Sequence, residues 1–369
     1  MINQMRCEMI IGRILEAISM LSVMMTIINP ISYKVEQLKI HDRPQTIYTL
    51  SINTDNPNVE LKNILSYNVL FGVDKTSNMV MESGALFGVN GMFYDEFGAP
   101  YGILIIDGKV VTMDSINTPT MVVTETGQVS LEKIDIKGSV KGIKNTIQLE
   151  GTNKGVSDGK WVLFHDVYGD TTRVSRYSMN YIIKDNIVTE IIYTDMPVAI
   201  EKQDYVLTQV TNETIPVFEK GETLDIQFQI SNHENKDIAQ AFQTGGWLVY
   251  EGENIAKNYE PFIGYTTGLN PRTLIGITEE QQLIVKVIDG RIPKISLGIT
   301  GYEAAELMKE EGCIYAAYLD GGASSTMVIG GKVVNKPSNG EERKVAHALI
   351  IGIKNVGKIL AQDLKRIGN

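Results

Sequence analysis

The sequence predicts an α+β fold of β-rich mixed sheets, with several hairpins and few helices, arranged as a single large domain. Three observations carry that reading. Short runs of β-forming apolar residues recur after residue 40. Three such runs meet two-residue Asp-Gly or Gly-Gly turns. One segment carries a full set of helix start and stop signals. The 369 residues are 43% hydrophobic, 21% charged and 7% aromatic, a globular balance with ample material for a core.

The first residues differ from the rest. Arg6 and Arg13 lead towards an apolar stretch over residues 17–28, which Asn29-Pro30 ends. The stretch is short for a membrane span and fits the apolar region of a signal peptide. Residues 1–32 are therefore expected to form a signal peptide or an N-terminal membrane anchor, which implies an extracytoplasmic protein, secreted or tethered. Glu8, Glu16 and the lack of an A-x-A cleavage site leave an amphipathic helix packed on the domain as the alternative.

The domain is expected over residues 40–357, followed by a C-terminal tail at 358–369. Apolar residues 84–89 read as a strand ending at Asn90-Gly91. Hairpins are expected at Asp107-Gly108, Asp289-Gly290 and Gly330-Gly331, each flanked by β-formers. The middle, 113–245, alternates strand-like runs (161–164, 181–183, 188–193, 223–230) with polar turns and offers no linker. Thr300-Gly301-Tyr302-Glu303 is a capping box opening a helix whose apolar stripe is Ala304, Ala305, Leu307 and Met308, with Gly312 as its stop. Residues 314–319 then read as a buried strand, so Asp320 falls at a strand tip after a helix, where a rigid element can position an exposed side chain.

Charge and ligand chemistry exclude several classes. The net charge is −10 with no basic cluster, which argues against a nucleic-acid partner. Cys7 and Cys313 give no disulfide framework, and Cys313 reads as a buried small hydrophobe. The four histidines are scattered without a zinc-ligand spacing. No cofactor is required by the sequence, although a divalent cation bridging Asp320 and a phosphate is compatible with it.

The densest chemical cluster is Asp320-Gly321-Gly322-Ala323-Ser324-Ser325-Thr326. Its glycines let a ligand approach the main chain, and its three hydroxyls offer donors and acceptors. Standing alone, Asp-Gly-Gly would be a plain β-turn; placed after a buried strand, it favours function. Asn90-Gly91-Met92-Phe93, Asn270-Pro271-Arg272-Thr273 and the polar loop from Asn335-Lys336-Pro337-Ser338 to Glu342-Arg343 complete the set.

In that order these motifs, with Gly98, Pro100 and Gly102 and with Gly246-Trp247-Leu248-Val249, resemble the phosphodiester glycosidase family over roughly residues 45–355. Where the family usually has a second glycine this chain has Met92, and where a histidine often precedes the arginine motif it has Asn270. The resemblance implies a catalytic domain that hydrolyses the bond between a sugar's anomeric carbon and a phosphodiester, in cell-envelope or exopolysaccharide metabolism. Its substrate would be a glycan or a sugar-1-phosphodiester. It further implies Asp320 as base, nucleophile or oxocarbenium stabiliser, with Arg272 and Arg343 on the phosphate. Asn90, Gly91, Thr273, Gly321, Gly322, Ser324, Ser325 and Thr326 would bind substrate. Two competing readings are a non-catalytic glycan-binding envelope protein on the same scaffold and a phosphodiesterase attacking phosphorus. Few tryptophans disfavour the first, and the absence of His/Asp metal clusters in the sequence disfavours the second.

Overall fold

The computed structural model describes residues 30–233 and 237–354. The apolar stretch at 17–28 and the tail at 358–369 lie outside them. Strand Ile31–Ile40, ahead of the residue 40 expected, is already part of the body, because it pairs along its whole length with Arg43–Asn53. Among the described residues no helix is long and apolar enough to cross a membrane.

Among the described residues strands dominate more than an α+β label suggests: two α-helices, Thr76–Ser83 and Gly301–Glu310, decorate a set of mainly antiparallel sheets. The sheet that positions the site has seven strands, in the order Ile31–Ile40, Arg43–Asn53, Gln282–Ile288, Arg272–Thr278, Cys313–Leu319, Trp247–Tyr250 and Glu253–Asn254. Its central members are buried on both faces and read as nearly unbroken apolar runs. Helix Gly301–Glu310 covers one face. Thr300 caps it through the expected box, and Ala304, Ala305, Leu307 and Met308 pack on Leu274, Ile284 and Ala316. Cys313 is buried there too, and burial pushes its thiol up to about 12.

A five-stranded sheet lies alongside, in the order Lys332–Val333, Met327–Ile329, Phe87–Asn90, His347–Ile353 and Val59–Leu65. The middle of the chain forms the remaining large sheets. One has seven strands and runs from Ile187–Thr194 to Asp225–Ile230. It contains a parallel pair, Thr146–Thr152 with Trp161–His165. A shared apolar core joins all these layers, with Leu50, Val89, Phe164, Phe242 and Val285 among its members.

Two of the three expected hairpins form. Asp107 and Gly108, like Gly330 and Gly331, take positive φ and join paired strands. The third does not. Asp289 is buried and accepts hydrogen bonds from Tyr48 Oη (3.1 Å) and from the backbone N–H of Lys336 (2.9 Å). The chain therefore leaves the sheet there, and its next tight turn joins Ile292 to Ser296. A carboxylate needed inside the molecule overrides the local turn preference.

Candidate active site

Two adjoining strand ends hold Asp320 in place. Its backbone N–H donates to the carbonyl of Gly91 (2.9 Å), and its carbonyl accepts from Asn90 Nδ2 (2.5 Å). Asn90 Oδ1 in turn accepts from Thr273 Oγ1 (2.9 Å) and from the N–H of Thr326 (3.0 Å). Asn90 and Thr273 are wholly buried, so the structure places both as a brace between strands and not on the cavity wall. Gly91 is buried as well. A Cβ there would overlap the His347 imidazole, which accepts from the N–H of Met92 (3.3 Å). Met92 itself is not among the residues with positive φ, so this position accommodates a side chain without strain.

The loop after Asp320 bends through a short 3-10 turn, Gly322–Ser324. Gly322 has φ 63° and donates to the carbonyl of Pro271 (2.9 Å), which ties the loop to the start of strand Arg272–Thr278. Gly321 and Gly322 line the cavity. Ser324, Ser325 and Thr326 are buried beneath it, and their hydroxyls lack hydrogen-bond partners among the described residues. Ser324 faces both the Asp320 carboxyl and the Tyr94 hydroxyl without completing a bond of full geometry to either. Asn335 clamps the far side of the loop, accepting from the N–H of Met327 (2.8 Å) and donating to the carbonyl of Ser325 (3.0 Å).

Above this base are two adjoining lobes that share Asp320, Arg343, Phe93 and Phe262. The first, about 250 Å³, is cationic: Arg272, Arg291 and Arg343 line it with Asn270. Arg272 is buried, and its guanidinium donates only to the carbonyls of Ile299, Thr266 and Gly268 (3.3 Å each). Arg291 is held by Asn270 Oδ1, which accepts from its Nε (3.2 Å) and Nη2 (2.8 Å). Arg343 is exposed and sits over the Tyr94 ring at 5.8 Å. None of the three forms a salt bridge among the described residues, whereas Arg43 and Arg176 pair with Glu303 and Asp158. The second lobe, about 440 Å³, is lined by Tyr94, Tyr101 and Phe262 with Asp95, Glu96 and Lys344. Phe262 is carried by the hairpin of Tyr259–Glu260 and Gly264–Tyr265, and it packs on Tyr101 with ring centroids 5.1 Å apart. The carboxyl of Glu260 fills the space that a side chain at Gly246 would need.

Burial raises the Asp320 carboxyl to about 6, while Ser324 and Arg343 pull it in the opposite direction. A carboxylate so tuned is ionised at neutral pH and accepts a proton readily. Among the described residues no cluster of three or more His, Cys, Asp or Glu is placed to hold a metal ion.

The structure thus brings Asp320, Arg272, Arg343, Gly321 and Gly322 together around one cavity. It sets Asn90, Gly91, Thr273, Ser324, Ser325 and Thr326 behind that cavity. Sequence reasoning missed Arg291, hidden by the Asp-Gly pair read as a hairpin, and the aromatic residues Tyr94, Tyr101 and Phe262.

The site is thus a half-buried carboxylate flanked by guanidinium groups that form no salt bridge among the described residues, on a β-rich scaffold. Residues 166–352, about half of the chain, match the phosphodiester glycosidase family, and the chain belongs to that family. It is 35% identical over 117 residues to the SPbeta prophage-derived uncharacterized protein YomE of Bacillus subtilis (strain 168), a match spanning 32% of this chain and 18% of that protein. Several solved structures share the fold. A hypothetical protein from Synechocystis aligns over 88% of this chain and 62% of its own, with TM-score 0.73 and 16% identity. The zebrafish N-acetylglucosamine-1-phosphodiester alpha-N-acetylglucosaminidase catalytic domain, auto-inhibited by its pro-peptide, aligns over 88% of this chain and 83% of its own, with TM-score 0.51 and 14% identity.

Proposed function

We propose that the chain hydrolyses the bond between a sugar's anomeric carbon and a phosphodiester. The observation that carries this reading is the pairing of one raised-pKa carboxylate, Asp320, with three guanidinium groups that form no salt bridge among the described residues. The cationic lobe receives the phosphate. Arg272, Arg291 and Arg343 offer planar N–H forks suited to its oxygens. The aromatic lobe receives the sugar, whose C–H face packs on Tyr101 and Phe262.

The anomeric carbon then lies at the junction, beside Asp320. As the C–O bond breaks, its electron pair leaves on the phosphate, and the three arginines stabilise the charge that develops there. A phosphate leaves far more readily than an alkoxide, so no strong general acid is needed. Asp320 takes the proton of the attacking water while a new C–O bond forms at the anomeric carbon. One carboxylate suffices for this single displacement, which inverts the anomeric configuration. Of the nearby acids, Asp95 is engaged by the N–H groups of Phe97 and Ala99 (2.9 Å each), and Glu96 is exposed.

Because the guanidinium groups supply the positive charge, turnover is proposed to need no metal ion, and chelation with EDTA should leave it unchanged. An extracytoplasmic setting, in envelope or exopolysaccharide metabolism, belongs to the same proposal. It is supported by fold likeness to a candidate exported protein of Burkholderia pseudomallei K96243 (TM-score 0.66, 20% identity, covering 84% of this chain and 74% of that one). The test is release of reducing sugar from a sugar-1-phosphodiester, with the product anomer read by NMR. Wild-type protein should release sugar and Asp320→Asn should not. Wild-type rates in Asp320→Asn would refute the assignment.

A further inference from the structure

We infer that a second cavity, remote in sequence from Asp320, is a binding site for a neutral sugar unit. It measures about 730 Å³, larger than either lobe of the Asp320 cleft, and shares no lining residue with them. Its walls come from four places: the end of strand Val59–Leu65 with the segment after it, the hairpin at Asp107-Gly108, the end of strand Trp161–His165 with the segment after it, and the stretch holding Ile200 and Lys202.

Its chemistry is close to charge-balanced. Asp107, Asp166 and Asp170 face Lys109 and Lys202, and Lys109 Nζ already pairs with Asp166 Oδ1 at 3.4 Å. A phosphate or other anion would meet three carboxylates, and an acyl chain would meet charged walls. Between the charges the lining is aliphatic, with Leu65, Val69 and Ile200. Fixed acceptors and donors around an apolar floor suit a polyhydroxylated ring, which has hydroxyls on its edge and C–H groups on its face. Tyr67 supplies an aromatic platform. It is exposed, and it and Asn68 both hold positive φ (55° and 57°), an unfavourable state for a tyrosine.

A buried group also points to a missing partner. His165 is wholly buried and lines the cavity. Asn153 Oδ1 accepts from the His165 backbone N–H (3.0 Å), which orients the amide so that Nδ2 donates to His165 Nε2 (2.7 Å). Nε2 also lies 3.4 Å from the Val110 carbonyl, a much longer contact than the amide, so the amide decides the tautomer and assigns the proton of the neutral ring to Nδ1. Nδ1 has no hydrogen-bond partner among the described residues, and Asp166 Oδ1 stands 3.7 Å away, too far for a direct bond. A sugar hydroxyl seated between them would accept from Nδ1–H and donate to the carboxylate.

The inference does not depend on the proposed hydrolysis, although the two sites are neighbours. Val69 lines this cavity and Val73 lines the aromatic lobe of the cleft. Four residues span at most ~14 Å, so these two wall residues lie within that distance of each other.

Calorimetric titration of the full chain with maltotriose, cellotriose and chitotriose tests the inference, with glucuronate, glucosamine and inorganic phosphate as charged counterparts. At least one neutral trisaccharide should bind with a Kd on the order of 1 mM. Tyr67→Ala and Asp170→Asn should each weaken it by about fivefold or more, within the range for a lost aromatic contact or hydrogen bond. Tyr101→Ala and Arg343→Ala, in the other cavity, should leave it unchanged. Thermal melting of each variant, and hydrolysis of the diester by Tyr67→Ala and Asp170→Asn, check that the fold and the Asp320 site persist. The inference is overturned if no neutral trisaccharide binds, or if a charged counterpart binds more tightly at this cavity. It is equally overturned if Tyr101→Ala abolishes binding while Tyr67→Ala does not. Absent hydrolysis with intact sugar binding would count against the Asp320 reading alone.

Discussion

Arg272 and Lys286 are both buried cations on neighbouring strands of one sheet, and they are treated in opposite ways. The register pairs Leu274 with Lys286 and Arg272 with Ile288, so both project to the face that carries helix Gly301–Glu310. Lys286 meets the end of that helix, where Nζ bonds Glu311 Oε1 (2.8 Å) and Thr49 Oγ1 (2.9 Å). Arg272 lies beside the segment entering the helix and finds only carbonyl oxygens. Burial without a carboxylate is costly for a guanidinium, and it acts to lower the Arg272 pKa. The framework satisfies its own charge, whereas the cleft leaves charge available for an incoming anion.

The largest expected effect breaks the cleft side of this contrast. Arg272→Ala should reduce kcat/KM on a sugar-1-phosphodiester about 1000-fold, or ~4 kcal/mol of transition-state stabilisation, without loss of the folded state. Steady-state kinetics and a thermal melt check both halves. On the framework side, Lys286→Met should leave kcat unchanged but destabilise the protein by ~3 kcal/mol, seen as a lower urea midpoint, because Glu311 loses its partner.

Asp320 gives a smaller effect of known sign. Its folded pKa, about 6, lies above the ordinary 3.8, so the folded state holds the extra proton between these values. The Asp320 contribution to stability therefore falls as pH rises from about 4 to 6 and is level above that. Asp320→Asn should be more stable than wild type by up to ~3 kcal/mol at pH 8 and indistinguishable from it below pH 4. Wild-type kcat/KM should rise through pH ~6 as the carboxylate ionises. The smallest effect concerns Asn270. Asn270→Ala frees the Arg291 guanidinium and should cost about fivefold to tenfold in kcat/KM, ~1 kcal/mol, in line with one charged hydrogen-bonded contact. An equal melting temperature would show that Asn270 positions Arg291 and does not stabilise the fold.

Much of this architecture was legible in the sequence. The capping box at Thr300, the strand tip at Asp320 and the glycine hairpins follow local rules that the tertiary structure respects. The failures share a physical cause. Asp289-Gly290 satisfies the hairpin rule, but Asp289 is needed inside to hold Lys336 and Tyr48, so Arg291 is delivered to the cleft. Asn90, Thr273 and the hydroxyls of Ser324, Ser325 and Thr326 are polar residues near a catalytic candidate. Which side of the loop they face depends on strands far away in sequence. Residue type marks where chemistry is permitted, and the sheet decides which polar groups reach solvent.

The central claim is that the Asp320 cleft breaks the bond at the sugar carbon and leaves phosphorus untouched. Hydrolysis of a sugar-1-phosphodiester in ¹⁸O-labelled water tests it most directly. Label recovered in the released sugar, with none in the phosphate monoester, is the expected result. Label in the phosphate would mean attack at phosphorus and would contradict the account.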